Sequence, residues 1–471
     1  MSDAVAILGG GITGLSAASF LLDEAPGLDL VVLESEDRAG GNIGSELAEG
    51  FVLERGPNGL VATAPQGLDL ARRLGLGDRL VASSPRAARR FVYRARRGRG
   101  TLYPVGPLEV LSSRFLSVGG RLRLLGEPFA RRKAAGAEES VAAFGRRRLG
   151  KEVTAALLDP LVTGIFAGDP DRLSLDATFP RLARMEEEHG SLFRALLAAR
   201  RAKRAGAPAA PEGSASPAAS ARTLWTFPGG LEEIIAALRE RLGSRLRLGA
   251  PVERVSRKAR GYEVVLRSGE ALSAAAVLCS LPPPRAAAVL RESSAELASA
   301  LEEIPWAPIA VSCMAFRRED VEHPLDGLGF LAPRGEGLRT LGAIFTSSLF
   351  PAHAPEGAVS LRALIGGALD PGIVEASEES IHGLILSELR PILGISGEPR
   401  LRRLHRHPLG IPQYTLGHGR RVERIGSALR SLPGLFIAGN AYRGVGINDS
   451  IADALRAARM ILQGMSSVLG A

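Results

Sequence analysis

Apolar positions along this chain follow two rhythms, and each predicts its elements. Ala4 to Leu8 is an unbroken apolar run of the kind buried on both faces of a parallel sheet. It leads straight into Gly9-Gly10-Gly11-Ile12-Thr13-Gly14 and then into "LSAASFLLDE", apolar at helical spacing. "LDLVVLE" repeats the strand pattern and stops at Glu34. Near the other end, Leu435 to Ala438 is a further buried run, Gly439-Asn440 starts a turn, and Ile451 to Leu462 returns to helical spacing. Between these ends, "LRLGAPVERVSRKARGYEVVLRSGEALSAAAVLCSLPP" predicts three or four short strands, with turns at Ala259-Arg260-Gly261 and Ser268-Gly269 and a last strand stopped by prolines.

Two other stretches break the pattern. In "LEVLSSRFLSVGGRLRLLGEPFARRK" leucines and phenylalanines alternate with basic residues at a spacing suited to amphipathic helices. Residues 204–222, "RAGAPAAPEGSASPAASAR", are Ala, Pro, Ser and Gly, which cannot bury enough apolar area to order themselves, so a flexible surface insertion is expected.

Composition bounds the fold more than the chemistry. With 471 residues, two or three domains or subdomains are expected; 45% hydrophobic and 23% charged residues exclude a chain disordered throughout. Cys279 and Cys313 lie in apolar surroundings without CxxC spacing, so neither a disulfide framework nor a metal site is supported, and a reducing compartment is expected. The net charge of +9 is regional: Arg86 to Arg148 holds sixteen basic residues against four acidic ones. An anionic membrane surface or an acidic small molecule suits that excess, and so does a solvated set of helix faces. Nucleic acid does not, because no recognition motif accompanies it. No apolar run reaches the about 18 residues of a membrane span, and the amino terminus reads as a strand instead of a signal, which predicts a soluble or peripheral protein.

The opening turn carries the chemistry. In Gly9-x-Gly11-x-x-Gly14 the first glycine permits the tight turn, the second lets the backbone approach a pyrophosphate, and the third lets the helix close on the sheet. The amides of Ile12 to Leu15 then point at the anion. Glu34 ends the second strand, where its carboxylate suits the two ribose hydroxyls and repels a 2′-phosphate. After it, Glu34-x3-Arg38-x-Gly40-Gly41, with Ser35 and Asn42 alongside, resembles the second flavin motif of glutathione-reductase-like and amine-oxidase-like flavoproteins.

Six further stretches, in order, carry a closer resemblance: "GFVLERGPN", "TGIFAGDPDRLSL", "FPGGLEEII", "GLGFLAP", "HPLGIPQYTLGH" and "GNAYRGVGINDS". Together they resemble the oxygen-dependent protoporphyrinogen oxidase family of bacterial and organellar flavoproteins over nearly the whole length. The resemblance implies an α/β plus α+β, two-dinucleotide-binding flavoprotein fold. Its parts are a parallel-sheet FAD domain, a mixed-sheet substrate domain and a helical membrane-associating subdomain. The expected division is FAD-binding parts at 1–82, 223–284 and 406–471, the helical subdomain at 83–222, and the substrate sheet at 285–405.

It further implies non-covalent FAD, a tetrapyrrole substrate, and molecular oxygen as final acceptor. The reaction would be six-electron oxidation of protoporphyrinogen IX to protoporphyrin IX with release of hydrogen peroxide, a step of haem synthesis. The cytoplasmic face of the inner membrane is the expected location, and a homodimer is left open. By the same resemblance, Gly56-Pro57-Asn58-Gly59 is the loop beside the flavin ring and Val252 meets the adenine. Gly439, Asn440, Val445, Gly446 and Ile447 complete the site from the last strand and helix. Asn58 and Arg90 face a substrate carboxylate, Gly164 presents a carbonyl to the porphyrinogen, and Leu331, Ile344 and Leu364 are its apolar plates. Without the resemblance, those three are ordinary sheet core and Arg90 a solvated cation.

Departures matter. Asn58 stands where some relatives have an arginine, which leaves coproporphyrinogen III open as the substrate. Asn42 replaces an arginine of the wider superfamily, His407 a common tryptophan, and Ser450 a usual cysteine; without that cysteine the covalent thioether flavin is disfavoured. No residue stands out as a general base. An amine or carotenoid oxidoreductase would share the FAD motifs but not the middle ones, and a non-redox escort-type protein of this fold would have lost the flavin motifs that are intact here.

Overall fold

The structure, a computed structural model, describes residues 4–469 apart from 63, 97–98, 107–108, 110–114, 135 and 205–222. The expected flexible insertion lies outside the described residues except at Arg204, which ends the helix Leu192–Arg204.

A five-stranded parallel sheet lies at the centre, in the order Leu246–Arg247, Leu30–Leu33, Val5–Leu8, Ala276–Cys279, Leu435–Ile437. Val5–Leu8 is unbroken in its apolarity because both faces are covered. Val5 and Ile7 pack against the helices Ile12–Glu24, Glu232–Leu242 and Ile447–Leu469. Ala6 and Leu8 pack toward the meander Val252–Arg257, Tyr262–Leu266, Ala271–Ala274 and toward the helices Pro283–Leu290, Ala295–Glu302 and His418–Arg430. A strand whose two faces meet helices has no polar face to keep, and the alternation seen in half-exposed strands is lost.

A second, seven-stranded mixed sheet runs in the order Leu401–Pro412, Trp306–Arg317, Ala358–Gly366, Thr340–Phe345, Gly329–Leu331, Phe91–Arg96, Arg99–Pro104. One face is covered by the helix Glu378–Leu393 through Ile381, Ile385 and Leu389. The opposite face carries Val311 and Cys313 and turns toward Phe51 and Leu53, which lie just ahead of the Gly56 loop. Two expected boundaries shift here. Phe91–Arg96 and Arg99–Pro104, assigned from sequence to the helical subdomain, pair antiparallel on the edge of this sheet, because Phe91 and Tyr93 join its core. The domain boundary expected at 405 falls inside the strand Leu401–Pro412, which stays paired with Trp306–Arg317 through a register shift between Ala307 and Ile309 and ends with Pro412 opposite Trp306.

The helices Val141–Arg148, Asp159–Phe166 and Pro180–His189 pack around Phe144, Val162, Phe166 and Phe179. Arg148 and Glu127 form an ion pair there, both fully buried. Glu127 also accepts from the Leu192 and Phe193 amides at 2.9 and 3.2 Å, so one carboxylate caps the helix Leu192–Arg204.

Candidate active site

Gly9 follows the first strand with φ +103°, a conformation open to glycine, and the helix begins three residues later. A Cβ at Gly14 would collide with the Gly9 carbonyl oxygen, whereas one at Gly11 would meet nothing within 4 Å. The helix Ile12–Glu24 has no side-chain cap and no acid in its first turn, so its leading amides are left for a ligand.

Glu34 is buried beside this turn. Its Oε2 accepts from the Gly10 amide at 2.7 Å, and its Oε1 accepts from Ser35 Oγ at 3.1 Å and the Glu36 amide at 3.0 Å. The second flavin motif closes on the same spot: the Gly40 amide donates to Gly10 O at 2.8 Å, and Gly11 and Gly40 form an isolated parallel bridge. Arg38 spends its guanidinium on this loop's own carbonyls, Ala39 O at 2.9 Å, Ile43 O at 3.1 Å and Gly41 O. It therefore shapes the Gly40-Gly41 turn from inside. Asn42 donates to Gly410 O at 3.3 Å.

The distant stretches join this turn. Ala250 donates to Glu34 O at 2.8 Å, two residues before Val252 opens the meander. From the far end, Ile451, Ala454 and Ile461 of the last helix enter the same core as Val5 and Leu15. The turn Gly439–Gly446 is held by three contacts: Gly439 N donates to the buried Asp453 at 3.0 Å, Gly446 N donates to Asp449 at 3.1 Å, and the Tyr414 hydroxyl spans Asn440 O at 2.5 Å and Gly444 N at 2.8 Å. Val445 and Ile447 flank Gly446 at the start of that helix, and Ser450 Oγ donates to Gly446 O at 3.1 Å.

Gly56-Pro57-Asn58-Gly59 runs between the second flavin motif and the short strand Leu224–Thr226. A Cβ at Gly56 would strike Asn42 O, one at Gly59 would come within 2.8 Å of Trp225 O, and Asn58 Oδ1 is buried without a partner. His407 Nε2 donates to Arg55 O at 2.8 Å, and burial holds the His407 imidazole below its usual range.

On the seven-stranded sheet, Leu331, Gly342 and Leu364 oppose one another across three strands, and Ile344 follows Gly342 by two residues on the same face. Gly164 reaches this row, since a Cβ there would come within 2.6 Å of Leu331. Arg90 precedes the strand Phe91–Arg96 that pairs with Gly329–Leu331, so it stands at the edge of the row. Of the residues expected at the substrate, Leu331, Ile344 and Leu364 thus share one face of this sheet, Gly164 meets them from the helix Asp159–Phe166, and Asn58 lies apart in the Gly56–Gly59 loop.

Sequence reasoning missed the groups that join this wall to the loop. Arg362, 4% exposed, lies beside Leu364 on the same strand and donates through Nη2 to Gly56 O. Cys313 Sγ, opposite Arg362, donates to Glu54 O at 3.7 Å. Burial pushes the Glu54 carboxyl up to about 7, while bonds from the Leu231 amide and Ser45 hydroxyl pull it down. The signal for Arg362 was present in "VSLRALIGG", where a period of two places an arginine on the inward face with Leu364.

These residues suit an FAD: an open cradle at Gly11, uncapped helix amides, a buried carboxylate at the end of the second strand, and an unsatisfied amide oxygen at Asn58. Both thiols are buried and pushed up by burial, Cys279 to about 12 and Cys313 to about 11, and neither lies in the last segment.

The profile of the family described as "Flavin containing amine oxidoreductase" matches residues 12–462. The chain is 33% identical to a chloroplastic protoporphyrinogen oxidase of Nicotiana tabacum over 96% of its length and 84% of the relative's. It is 30% identical to a coproporphyrinogen III oxidase of Bacillus subtilis over 95% of both chains. A solved structure from Exiguobacterium sp. 255-15 superposes with a TM-score of 0.83 at 27% identity, covering 98% of this chain and 99% of the other. The chain belongs to the flavin-containing amine oxidoreductase family, among relatives that include protoporphyrinogen oxidases, and is an FAD-dependent oxidoreductase.

Proposed function

We propose that this flavoenzyme oxidises protoporphyrinogen IX to protoporphyrin IX with molecular oxygen as acceptor. The observation that carries the reading is the near full-length likeness to protoporphyrinogen oxidases, with the expected apolar plates on one face of one sheet. Bound FAD supplies the acceptor for the electron pair and hydrogen taken from a substrate carbon. The chain supplies position. The amides of Ile12 to Gly14 and the Glu34 carboxylate would hold the dinucleotide, and the turn Gly439–Ile447 with the loop Gly56–Gly59 would hold the ring. Leu331, Ile344 and Leu364 offer a flat apolar wall to a macrocycle, and Gly164, without a side chain, lets its helix approach that wall. Arg90 suits a propionate.

A second reading, coproporphyrinogen III as substrate, is favoured by the Bacillus subtilis relative. The two are separated by purifying the yellow protein and following porphyrin fluorescence with each porphyrinogen, with and without oxygen, while assaying peroxide. Growth with protoporphyrinogen IX in air alone is expected. A flavin-loaded protein inert toward both substrates overturns the proposal.

We also infer a peripheral association with anionic membrane. Val118, Leu122, Leu125 and Phe129 form one ridge on the helix Val118–Leu125 and the turn after it, 71%, 65%, 56% and 88% exposed, with Arg131 and Arg132 following. Among the described residues no helix is long and apolar enough to cross a membrane. Exposed apolar residues flanked by cations suit insertion at the headgroup level.

A further inference from the structure

We propose that Arg362 acts as an electrostatic positioning residue: its buried guanidinium, set behind the Gly56 carbonyl, holds the ring-side loop and makes the flavin a stronger electron acceptor. The proposal rests on the assignment of Gly56–Gly59 to the flavin ring.

Arg362 opposes Cys313 on one side and Ile344 on the other, in a face otherwise built from Val311, Cys313 and Leu364. Its Nη2 donates to Gly56 O, its Nε is buried without a partner, and no carboxylate of the described residues reaches ion-pair distance of it. Glu54 is the carboxylate in its surroundings, but the two oxygens of that group are taken by the Leu231 amide at 2.9 Å and the Ser45 hydroxyl at 2.8 Å. Because burial lifts the Glu54 carboxyl to about 7, it offers only part of a counter-charge near neutral pH. The remaining groups on this side are Arg38, Arg55, Glu232, Glu46 and two histidines. Glu46 is paired with Arg403 at 2.6 Å, and burial keeps His405 and His407 on the neutral side. The local balance is positive.

An unpaired buried cation is costly, and an apolar side chain of similar volume would serve packing better. Its charge is unscreened in this interior and is felt several ångströms away. A ring that takes an electron pair gains negative charge, so a nearby fixed cation favours the reduced state and any anion added to the oxidised ring. The Gly56–Pro57 peptide has no N–H to anchor it, and the guanidinium holds it by its carbonyl.

The experiment compares flavin-loaded wild type, Arg362→Gln and Arg362→Lys. Glutamine keeps a donor for Gly56 O and removes the charge; lysine keeps the charge. The readouts are the dissociation constant for inorganic sulfite, followed by bleaching of the oxidised flavin band, and the flavin midpoint potential against a reference dye. Arg362→Gln is expected to bind sulfite at least tenfold more weakly and to be reduced at lower potential, while Arg362→Lys stays within threefold of wild type. A glutamine variant within twofold of wild type, or a lysine variant that follows the glutamine one, overturns the proposal. If the glutamine variant does not retain flavin, optical titration of the ring N3–H in wild type decides. Ionisation below the free-flavin value is expected, and ionisation at or above it overturns the proposal. The loop assignment fails separately if Asn58→Ala leaves the flavin spectrum and affinity unchanged.

Discussion

Gly11 and Gly14 stand on one turn and are required for opposite reasons. Gly14 has no room, because its Cβ would strike the Gly9 carbonyl; Gly11 has room, which a cofactor needs. Gly14→Ala is therefore expected to lower the thermal midpoint of the flavin-free protein. Gly11→Ala is expected to leave that midpoint within a degree or so and to lose flavin on gel filtration. Equal destabilisation by both would contradict this division. Glu54 carries a pH signature. Its carboxyl is raised from 4.5 to about 7, so the fold prefers the protonated form. That contribution is full below pH 4.5 and is lost as pH rises through 7. A tenfold difference in proton affinity between the folded and the unfolded chain corresponds to about 1.4 kcal/mol. In urea unfolding of the flavin-loaded protein, Glu54→Gln is expected to gain on wild type between pH 5 and pH 8; a difference independent of pH would mean that Glu54 stays ionised. The glycine roles were legible in the sequence because spacing along a turn expresses them. Glu54 was quoted within a motif, yet its raised ionisation comes from burial, which only folding brings about, against the opposing bonds from Leu231 and Ser45.

Among the elements, the last helix shows how a distant segment is tied in. Asn448, buried in its first turn, accepts from the Gly67 amide at 3.1 Å and donates to Val61 O at 2.9 Å. Asn448→Ala leaves both backbone groups without that partner and is expected to cost about 1–3 kcal/mol in chemical unfolding. A loss under about 0.5 kcal/mol would place the helix's attachment in its apolar face alone. The strand–turn–helix units at each end were readable because hydrophobic period and glycine punctuation are local. The strand pair Phe91–Arg96 and Arg99–Pro104 was not, since its arginines point to solvated helix as readily as to edge strand; the choice is made by Phe330 and Leu331, which pair with Phe91 and Val92.

At the scale of the whole molecule, the ridge Val118–Phe129 gathers four of the ten exposed large apolar side chains among the described residues, and the buried Arg148–Glu127 pair anchors its end. Replacing Leu122, Leu125 and Phe129 together by serine is expected to reduce co-sedimentation with anionic vesicles at least fivefold while leaving the flavin spectrum intact. Unchanged sedimentation would remove the ridge from any membrane contact.

Sequence by itself determined a dinucleotide turn, its carboxylate, the second flavin motif and the family, because these depend on residues a few positions apart or on whole-length likeness. Tertiary structure alone decided that Arg362 reaches Gly56 across 306 positions, that the final helix returns to the first, and that Gly164 meets Leu331. The physical reason is register: which residues oppose one another across strands follows from packing many segments at once, and no local pattern records it.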